Sequence, residues 1–382
     1  MFVKLEDEVY AKFEPSNKNI YVLCENELYT LDNSAPSYNK IIKLLPQKKW
    51  DKSFLSTPFN VQIQVTKGCN FSCSFCYANA VRGAKNLDMP IEKLKHLIDQ
   101  LFEWGVPNVQ YVGGETFFHN DFPKIVDYAH SLGMSQSLIT NAIIPGSLPK
   151  KYKDTLKKFS KIQVSMNGVD DVYNNSVQTK IFDKFLKAAQ NIAEINNNVW
   201  ISCVLTEQTI NQIGETFEAS KKIGVKGIRF GALAKQGRGS DFEFEYFRKI
   251  LPKAEEEIKK HMSNFPELII DSLFNPLLSH NFVDGDKSPQ LKYHSEGQSV
   301  LFISVEGDVY PFPLLELPEF NIGNVFKEDI SVLWENSSIL NEMRDFNNLN
   351  EHCRNCETPC SFSSRSMTYL WTGSISKKNP ML

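Results

Sequence analysis

The sequence predicts an α/β fold with a partial (β/α)6 parallel barrel at its centre. From residue 61 onward, short apolar segments alternate with longer stretches whose apolar residues recur at helical spacing. Polar and glycine-rich segments directly follow several of these apolar segments, as expected where a parallel sheet binds ligands at the carboxyl ends of its strands. The six predicted strands are Val61–Val65, Val109–Val112, Gln136–Ile139, Ile162–Met166, Ile201–Leu205 and Gly227–Phe230.

The segments between these strands have helical patterns. Ile91, Leu94, Ile98 and Leu101 fall on one helix face, and Pro90 precedes them at a position where its missing N–H costs nothing. Repeated βα units imply a parallel sheet covered by outer helices. The other predicted helices are Phe122–Leu132, Leu148–Phe159, Phe182–Ile195 and Gln212–Ile223.

The barrel is flanked by two further units. Residues 1–56 are predicted to form a small β-rich unit, with strands at Glu8–Glu14, Ile20–Cys24 and Leu28–Leu31 and a short helix at Tyr38–Leu45. The predicted domains are this unit, a barrel at 57–240, a helical connection at 241–290 and a C-terminal domain at 291–382, which contains three closely spaced cysteines.

Composition excludes several classes of partner and location. The 382 residues include 42 basic and 45 acidic side chains, a net charge of -3, so no nucleic-acid partner is expected. The chain lacks an apolar run of about 18 residues, so no membrane span is expected. The N-terminus lacks the apolar core of a signal peptide, which predicts a cytoplasmic, reduced protein. Clustered cysteines in such a protein indicate metal binding.

The first cysteine group has the spacing C-x3-C-x2-C and directly follows the first barrel strand. Its members are Cys69, Cys73 and Cys76. Three thiolates can hold three irons of a cubane cluster and leave the fourth iron open to a small molecule. The alternatives are a zinc site completed from elsewhere and three buried thiols. Structural zinc normally takes four protein ligands, one more than this loop supplies.

With this loop after its first strand, the chain resembles the radical S-adenosylmethionine superfamily over about residues 57–240. The resemblance implies a [4Fe–4S] cluster with S-adenosylmethionine on its open iron. In that family, cleavage of S-adenosylmethionine gives a 5′-deoxyadenosyl radical that abstracts a substrate hydrogen. An external electron donor such as flavodoxin or ferredoxin is implied as well. Tyr77 matches the family's aromatic residue near the adenine.

A Gly-Gly-Glu segment ends the second predicted strand. Gly113 and Gly114 would permit close approach of a ligand, and the carboxylate of Glu115 would accept hydrogen bonds from an ammonium group. The segment resembles the family motif that binds the methionine amino group. A turn is the alternative explanation for such a segment, and Thr116 stands where many relatives have proline.

The next two strand ends carry polar residues that resemble family positions. Thr140 and Asn141 match a Thr-Asn pair, for which turn capping is the alternative. Ser165 and Asn167 match positions where relatives commonly carry Ser and Asp near the cofactor's ribose. Asn167 keeps the hydrogen-bonding capacity of that Asp but not its charge.

One family feature has no match in the sequence. Relatives often place an arginine soon after the fourth strand, where it contacts the methionine carboxylate. No arginine occurs between Asp170 and Phe182, where Gln178 and Lys180 are the nearest candidates. Arg229 on the sixth strand is another candidate, although a structural ion pair would explain it equally well.

The second cysteine group has the spacing C-x2-C-x3-C and consists of Cys353, Cys356 and Cys360. Its surroundings resemble a reduced SPASM domain, the auxiliary-cluster domain of peptide-modifying radical enzymes. Gly307 aligns with the SPASM signature, but His294 and Phe312 occupy two cysteine positions. The resemblance therefore implies one auxiliary iron–sulfur cluster rather than two, with zinc as the alternative.

The predicted function is a radical enzyme that matures a ribosomally made peptide or protein. The SPASM-like domain favours this function, and residues 1–56 have some similarity to precursor-recognition modules. The alternatives are a small-molecule dehydrogenase or epimerase of the same superfamily, and a non-catalytic iron–sulfur protein. No catalytic residue is predicted, although Cys203 would return a hydrogen atom if the reaction were an epimerisation. Packing in a strand is the alternative role for Cys203.

Overall fold

A computed structural model describes residues 1–25, 27–47, 49–241, 244–272, 296–345 and 364–377. Its strands, numbered in chain order, fall into a large central sheet, a four-stranded sheet and a short two-stranded ladder. They are β1 (Val3–Glu6), β2 (Val9–Glu14), β3 (Asn19–Cys24), β4 (Glu27–Leu31), β5 (Asn60–Thr66), β6 (Gly68–Cys69), β7 (Val81–Arg82), β8 (Asn108–Gly113), β9 (Ser135–Thr140), β10 (Lys161–Ser165), β11 (Val199–Leu205), β12 (Gly227–Ala232), β13 (Ile269–Ser272), β14 (Val300–Ile303), β15 (Asp308–Tyr310) and β16 (Gly323–Asn324).

The helices of the described ranges lie between and after these strands. They are α1 (Tyr38–Ile41), α2 (Ile91–Trp104), α3 (Phe122–Ser131), α4 (Ile143–Ser147), α5 (Pro149–Lys157), α6 (Asp170–Val177), α7 (Phe182–Ala193), α8 (Glu207–Ile210), α9 (Ile213–Ile223), α10 (Phe244–Met262), α11 (Ile330–Asn336), α12 (Ser338–Arg344) and α13 (Arg365–Thr372). None of these helices is both long enough and apolar enough to cross a bilayer.

The central sheet confirms the predicted barrel strands. Strands β5 and β8 to β12 are neighbours and run parallel. Each edge gains a strand that the repeating pattern did not predict for the barrel. Strand β13 extends the sheet beside β12, and β14 pairs in parallel with β5. Because β14 belongs to the predicted C-terminal domain, that domain shares a sheet with the barrel.

The two faces of the barrel sheet differ in polarity. On β5, the side chains of Val61, Ile63 and Val65 are fully buried in the layer between sheet and helices. The alternate residue Gln62 points to the other face, where its Nε2 donates to Gln110 Oε1 on β8 at 2.8 Å. Amide groups on neighbouring strands thus satisfy each other on the inner face, which makes this face polar.

Helix α2 shows how the outer layer is specified. Leu94, Leu97, Ile98 and Leu101 are fully buried, and each such side chain contributes about 1.5–3 kcal/mol relative to an exposed one. The helix ends at Gly105, whose φ of +93° lies in the left-handed region that glycine adopts without strain. The predicted start after Pro90 is confirmed.

Helix α6 was not predicted, because its sequence gives little helical signal. Only Tyr173 and Val177 are buried along it, one turn apart. Polar residues fill most of the other positions, and the helix ends at Gln178 with a φ of +56°. Contact with the barrel therefore stabilises this helix more than its intrinsic propensity does.

The N-terminal unit is a four-stranded antiparallel sheet in the order β1-β2-β3-β4. Strand β1 was not predicted, because its residues are only half-buried or exposed. The unit packs against residues that lie just before the starts of individual barrel strands. Phe102 at the end of α2 contacts the rings of Phe2 and Tyr10, with centroids 6.2 and 5.7 Å away. Gly133, just before β9, lies against Tyr10. The unit is thus docked at the amino ends of the barrel strands.

A buried ion pair joins this unit to the barrel. Lys12 and Glu14 are 4% and 0% exposed, and Lys12 Nζ lies 3.4 Å from Glu14 Oε2. Lys12 also donates to Thr57 Oγ1 at 2.6 Å and to the Gly105 carbonyl at 3.2 Å. Glu14 accepts from the backbone N–H and hydroxyl of Ser56, at 2.9 and 2.7 Å. Lys12 therefore bonds to groups outside residues 1–56, whereas Glu14 is held by Ser56 at the end of the unit.

We expect Lys12→Met to destabilise the docked unit by about 3–5 kcal/mol, because it leaves the Glu14 carboxylate buried without its cation. The double variant K12M/E14Q should recover part of this loss. Hydrogen exchange of the amides in residues 1–56 measures the effect. The control is Lys4→Met, which removes the exposed 3.1 Å pair with Asp7 and should have a much smaller effect, because solvent screens this pair. Equal effects of the two single variants would contradict the role of the buried pair.

Candidate active site

The loop that carries the first cysteine group begins directly after β5. Cys69 lies on β6, which pairs in parallel with β7 further along the same loop. Cys69 is buried, whereas Cys73 and Cys76 are half-buried. The Gly83 N–H donates to the Cys69 carbonyl at 2.9 Å and closes the loop on itself. The predicted position of the three cysteines at the carboxyl end of the first barrel strand is thus what the structure shows.

Burial dominates the chemistry of two of these thiols. It raises the pKa of Cys69 to about 12, against a hydrogen bond from the Phe71 N–H to Sγ at 3.4 Å. It raises the pKa of Cys73 to about 11, with the charge of Arg238 acting in the opposite direction. Binding of iron must therefore displace protons from both side chains.

The Gly113–Gly114 pair is where the cysteine loop crosses the end of β8. The Gly114 N–H donates to the Thr66 carbonyl at 2.8 Å. A Cβ atom at Gly114 would lie 2.1 Å from the Gly68 carbonyl oxygen, and one at Gly113 would lie 2.4 Å from that of Thr66. The sequence predicted that these glycines admit a ligand. The structure shows that they admit the backbone that leads into the cysteine loop, and their contact with a ligand stays a prediction.

Glu115 is a buried carboxylate surrounded by donors of the protein. It is 1% exposed and accepts from Thr140 Oγ1 at 2.8 Å, the Asn141 N–H at 2.7 Å and the Phe117 N–H at 3.3 Å. Burial raises its pKa, and these hydrogen bonds oppose that shift. Its own N–H donates to the Gly68 carbonyl at 2.9 Å. Glu115 therefore links the end of β9 to the start of the cysteine loop.

Thr140 and Asn141 also contact the cysteine loop or its support. Thr140 Oγ1 accepts from the Ala142 N–H at 3.0 Å while donating to Glu115. Asn141 Nδ2 donates to Asn70 Oδ1 at 2.8 Å and lies 4.0 Å from Cys69 Sγ. The structure brings this predicted pair to the edge of the cysteine loop.

Ser165 and Asn167 lie further along the same edge of the sheet. Asn167 is 5% exposed, and its Oδ1 accepts from the Val204 N–H at 2.8 Å, which ties β10 to β11. Ser165 is half-buried at the end of β10, in register with Ser202 on β11. Ser202 is in register with Arg229 on β12, so these three side chains share the inner face. Cys203 points to the opposite face and is 1% exposed.

Tyr77 lies between the cysteine loop and the C-terminal part of the chain. It is half-buried, and burial raises its pKa, as do the charges of Cys76 and Glu316. Lys67, just before the loop, forms a 2.7 Å ion pair with Glu306 after β14. The C-terminal part thus packs against the loop from the side of the predicted adenine contact.

Arg238 contacts the cysteine loop and was not identified from the sequence. Its Nε donates to the Cys73 carbonyl at 2.7 Å and its Nη1 to the Ala80 carbonyl at 2.8 Å. Its backbone N–H donates to the Cys76 carbonyl at 3.0 Å. The signal available in the sequence was the Gly-Arg-Gly segment of residues 237–239, which follows the sixth barrel strand. A Cβ atom at Gly237 would lie 2.4 Å from two loop carbonyls, so the close approach requires glycine.

The second cysteine group lies outside the described residues, as does His294. The chain on either side of it is described and well anchored. Arg365 donates to the carbonyls of Glu342 at 3.1 Å and Asp345 at 2.9 Å. Glu296, which is 4% exposed, accepts from Ser366 Oγ and N–H at 2.6 and 2.7 Å. The described residues on the two sides of the second cysteine group, Asp345 and Arg365, are thus hydrogen-bonded to each other.

The donor set of the first loop fits an iron–sulfur cluster. Thiolates are soft ligands that bind iron–sulfur clusters or zinc in preference to hard cations. The cysteines of the described ranges are free thiols, so none of the three is consumed by a disulfide. In that same part of the chain, no three His, Cys, Asp or Glu side chains converge on a single metal ion.

Comparison with protein families gives two matches. Residues 63–220 match the model of the radical SAM superfamily, and residues 295–357 match SPASM, an iron–sulfur cluster-binding domain. Together these matches span more than half of the chain. The second match includes Cys353 and Cys356 and ends before Cys360.

Comparison with individual proteins gives similarities over most of the chain. Mycofactocin maturase of Mycobacterium tuberculosis is 26% identical over 301 residues, covering 76% of this chain and 74% of the relative. Fe-coproporphyrin III synthase of Methanosarcina barkeri is 26% identical over 326 residues, covering 80% of each chain. Streptococcus suis SuiB, solved with its precursor peptide SuiA, has a TM-score of 0.69 at 15% identity, covering 95% of this chain and 94% of SuiB. This structural likeness shows a shared fold.

We expect Arg238→Ala to lower the iron content of the first loop. The variant loses two hydrogen bonds from a guanidinium to loop carbonyls, each contributing about 1.5–3 kcal/mol. Arg238→Lys keeps the charge without the planar set of donors and should retain an intermediate iron content. Iron is measured after reconstitution in a background where Cys353, Cys356 and Cys360 are alanine. Arg82→Ala, an exposed change on β7, is the control, and iron loss equal to that of Arg238→Ala would argue against a specific anchor.

Proposed function

Because the chain belongs to the radical S-adenosylmethionine superfamily and is an enzyme of that type, we propose that it matures a ribosomally made peptide. The observation that carries the proposal is the combination, in one chain, of a cysteine loop at the barrel mouth and a docked sheet whose edge strands pair with no further strand of the described ranges. The similarity to mycofactocin maturase and the fold shared with SuiB support a peptide substrate.

The cofactor site of this proposal uses the residues described above. Cys69, Cys73 and Cys76 would hold three irons of a [4Fe–4S] cluster, which together with S-adenosylmethionine supplies a 5′-deoxyadenosyl radical for hydrogen abstraction. Glu115 and Asn141 hold the loop that presents these thiols. The polar inner face of the barrel, where Ser165 and Arg229 lie, would orient the substrate group from which hydrogen is removed.

The N-terminal unit, residues 1–56, is proposed to bind the precursor peptide. Strands β1 and β4 are the two edges of its sheet, and an extended peptide adds to such an edge through backbone hydrogen bonds. Tyr29 on β4 is 48% exposed and supplies an apolar contact beside that edge. A surface cavity of about 350 Å³ opens next to it, lined among others by Glu25, Glu27 and Lys157.

The C-terminal part is proposed to carry one auxiliary iron–sulfur cluster on Cys353, Cys356 and Cys360, with zinc as the alternative. The SPASM match supports an auxiliary cluster, and the ligand count supports a single one. Phe312, at a position where relatives have cysteine, cannot bind iron. An external donor such as flavodoxin or ferredoxin would reduce the first cluster, and a cytoplasmic location would keep the thiols reduced.

A small-molecule substrate is the second candidate function. The similarity to Fe-coproporphyrin III synthase, over 80% of both chains, favours it specifically. Such an enzyme has no need for an edge strand that binds peptides. The role of β4 therefore distinguishes the two candidates.

We expect the reduced, reconstituted protein to form 5′-deoxyadenosine, and C69A/C73A/C76A to abolish this activity. Co-expression with the short peptide encoded nearest to the gene should change the mass of that peptide, as measured by mass spectrometry. A mass change that persists in the triple variant would refute the cysteine assignment. An unchanged peptide, with 5′-deoxyadenosine formation stimulated by a porphyrin instead, would select the second candidate.

A substitution at the edge strand separates recognition from chemistry. Tyr29→Ala should lower peptide modification while the peptide-independent formation of 5′-deoxyadenosine stays unchanged. Val332→Ala is the matched control, since Val332 is 53% exposed on α11 and lies outside the N-terminal unit. Equal modification by the Tyr29 variant and the native protein would count against β4 as the binding edge.

We expect metal analysis of C69A/C73A/C76A to show about four irons per chain, because one auxiliary four-iron cluster would remain. About one zinc would select the zinc alternative. About eight irons would show that the ligand count is wrong and that two auxiliary clusters are present. C353A/C356A/C360A is the matched control, in which only the metal of the first loop should remain.

A further inference from the structure

Tyr173 on α6 has a buried hydroxyl without a hydrogen-bond partner among the described residues. The residue is 0% exposed. Folded proteins rarely leave such a group unsatisfied, because an unmade buried hydrogen bond costs about 1–3 kcal/mol. An unpaired hydroxyl at this depth therefore indicates that its partner is not part of the folded chain.

The position of Tyr173 is fixed by its neighbours. Its ring packs against Phe185 and Phe182, with centroids 4.5 and 5.4 Å away. One turn further along α6, the carbonyl of Ser176 accepts from the N–H of Ser74 at 3.1 Å, and Ser74 lies between Cys73 and Cys76 in the cysteine loop. The helix that carries the unpaired hydroxyl is thus bonded directly to the cysteine loop.

Cys73 and Glu115 are the titratable groups whose charge acts on this hydroxyl. Burial raises the pKa of Tyr173 well above its usual value, and the charges of Cys73 and Glu115 raise it further. The phenol therefore remains protonated at neutral pH and acts as a donor. Glu115 already accepts from several protein donors, and Tyr173 is not among them. No acceptor among the described residues pairs with this hydroxyl, which leaves it available to a group that binds over the loop.

The segment around α6 contains no cationic side chain of the kind that relatives use to bind the methionine carboxylate. No arginine occurs between Asp170 and Phe182, so this segment offers no guanidinium to an anion bound over the loop. Tyr173 is the residue of α6 whose side chain is fully buried next to the loop. A phenol contributes one neutral, directed hydrogen bond and adds no charge.

We propose that the hydroxyl of Tyr173 donates a hydrogen bond to an anionic atom bound over the cysteine loop. That atom is either the carboxylate of S-adenosylmethionine or a sulfur of the iron–sulfur cluster. Tyr173 is thereby a positioning residue for the cofactor, and this role is independent of whether the substrate is a peptide.

The test is Tyr173→Phe, which removes one oxygen atom and keeps the packed ring. Two quantities are compared at equal iron content. The first is the dissociation constant of S-adenosylmethionine, and the second is the reduction potential of the first cluster in the absence of S-adenosylmethionine. If the acceptor is the carboxylate, the dissociation constant rises about 10- to 100-fold, as expected for a hydrogen bond to a charged group, and the potential stays unchanged. If the acceptor is a cluster sulfur, the potential becomes more negative without S-adenosylmethionine.

Tyr111→Phe is the matched control. Tyr111 is also fully buried, but its hydroxyl donates to Gln136 Oε1 at 2.8 Å in the layer beneath the helices. Tyr111→Phe should lower the melting temperature of the metal-free protein and leave both cofactor measurements unchanged. Tyr173→Phe should leave that melting temperature unchanged or raise it, because no protein partner is lost. If Tyr173→Phe changes neither the dissociation constant nor the potential, the proposal is overturned.

Discussion

One buried carboxylate, that of Glu115, determines how the carboxyl end of the barrel is assembled. Its oxygens accept from Thr140 and Asn141 after β9, and its N–H donates to Gly68 at the entrance of the cysteine loop. Burying an unpaired carboxylate would cost several kcal/mol, so the surrounding donors must be in place when this edge closes. The position of the loop, and with it that of Cys69, follows from this requirement.

Sequence periodicity was sufficient to identify the strands of the barrel, but it did not identify several elements that flank them. Apolar alternation identified β5 and β8 to β12 because their outer faces pack on helices along the whole strand. Strand β1 and helix α6 were missed because tertiary contacts, rather than an apolar pattern, stabilise them. Strand β13 was not predicted because it follows a long helix, within the segment that the sequence indicated to be a helical connection.

The sequence predicted the cysteines of the candidate site but not the residues that hold or adjoin their loop. The spacing of Cys69, Cys73 and Cys76 is visible in the sequence, because ligands on one loop are close in the chain. Arg238 reaches that loop from a segment more than 150 residues away, and such a contact leaves no local pattern. Tyr173 was hidden for the same reason. Asn167 was predicted to lie near a ribose, and its Oδ1 accepts from the Val204 N–H. Predicting this hydrogen bond would have required the register between β10 and β11.

The docking of the N-terminal sheet has a geometric consequence for any substrate that it holds. The sheet contacts the amino ends of the barrel strands, whereas Cys69 lies at the carboxyl end of β5. A strand such as β8, with six residues, separates the two ends by about 20 Å. An extended chain advances at most about 3.3–3.6 Å per residue, so at least about six residues must lie between the part of a peptide that is held and the part that reacts. The enzyme would thus act as a ruler, and peptides with a shorter spacer would bind without being modified.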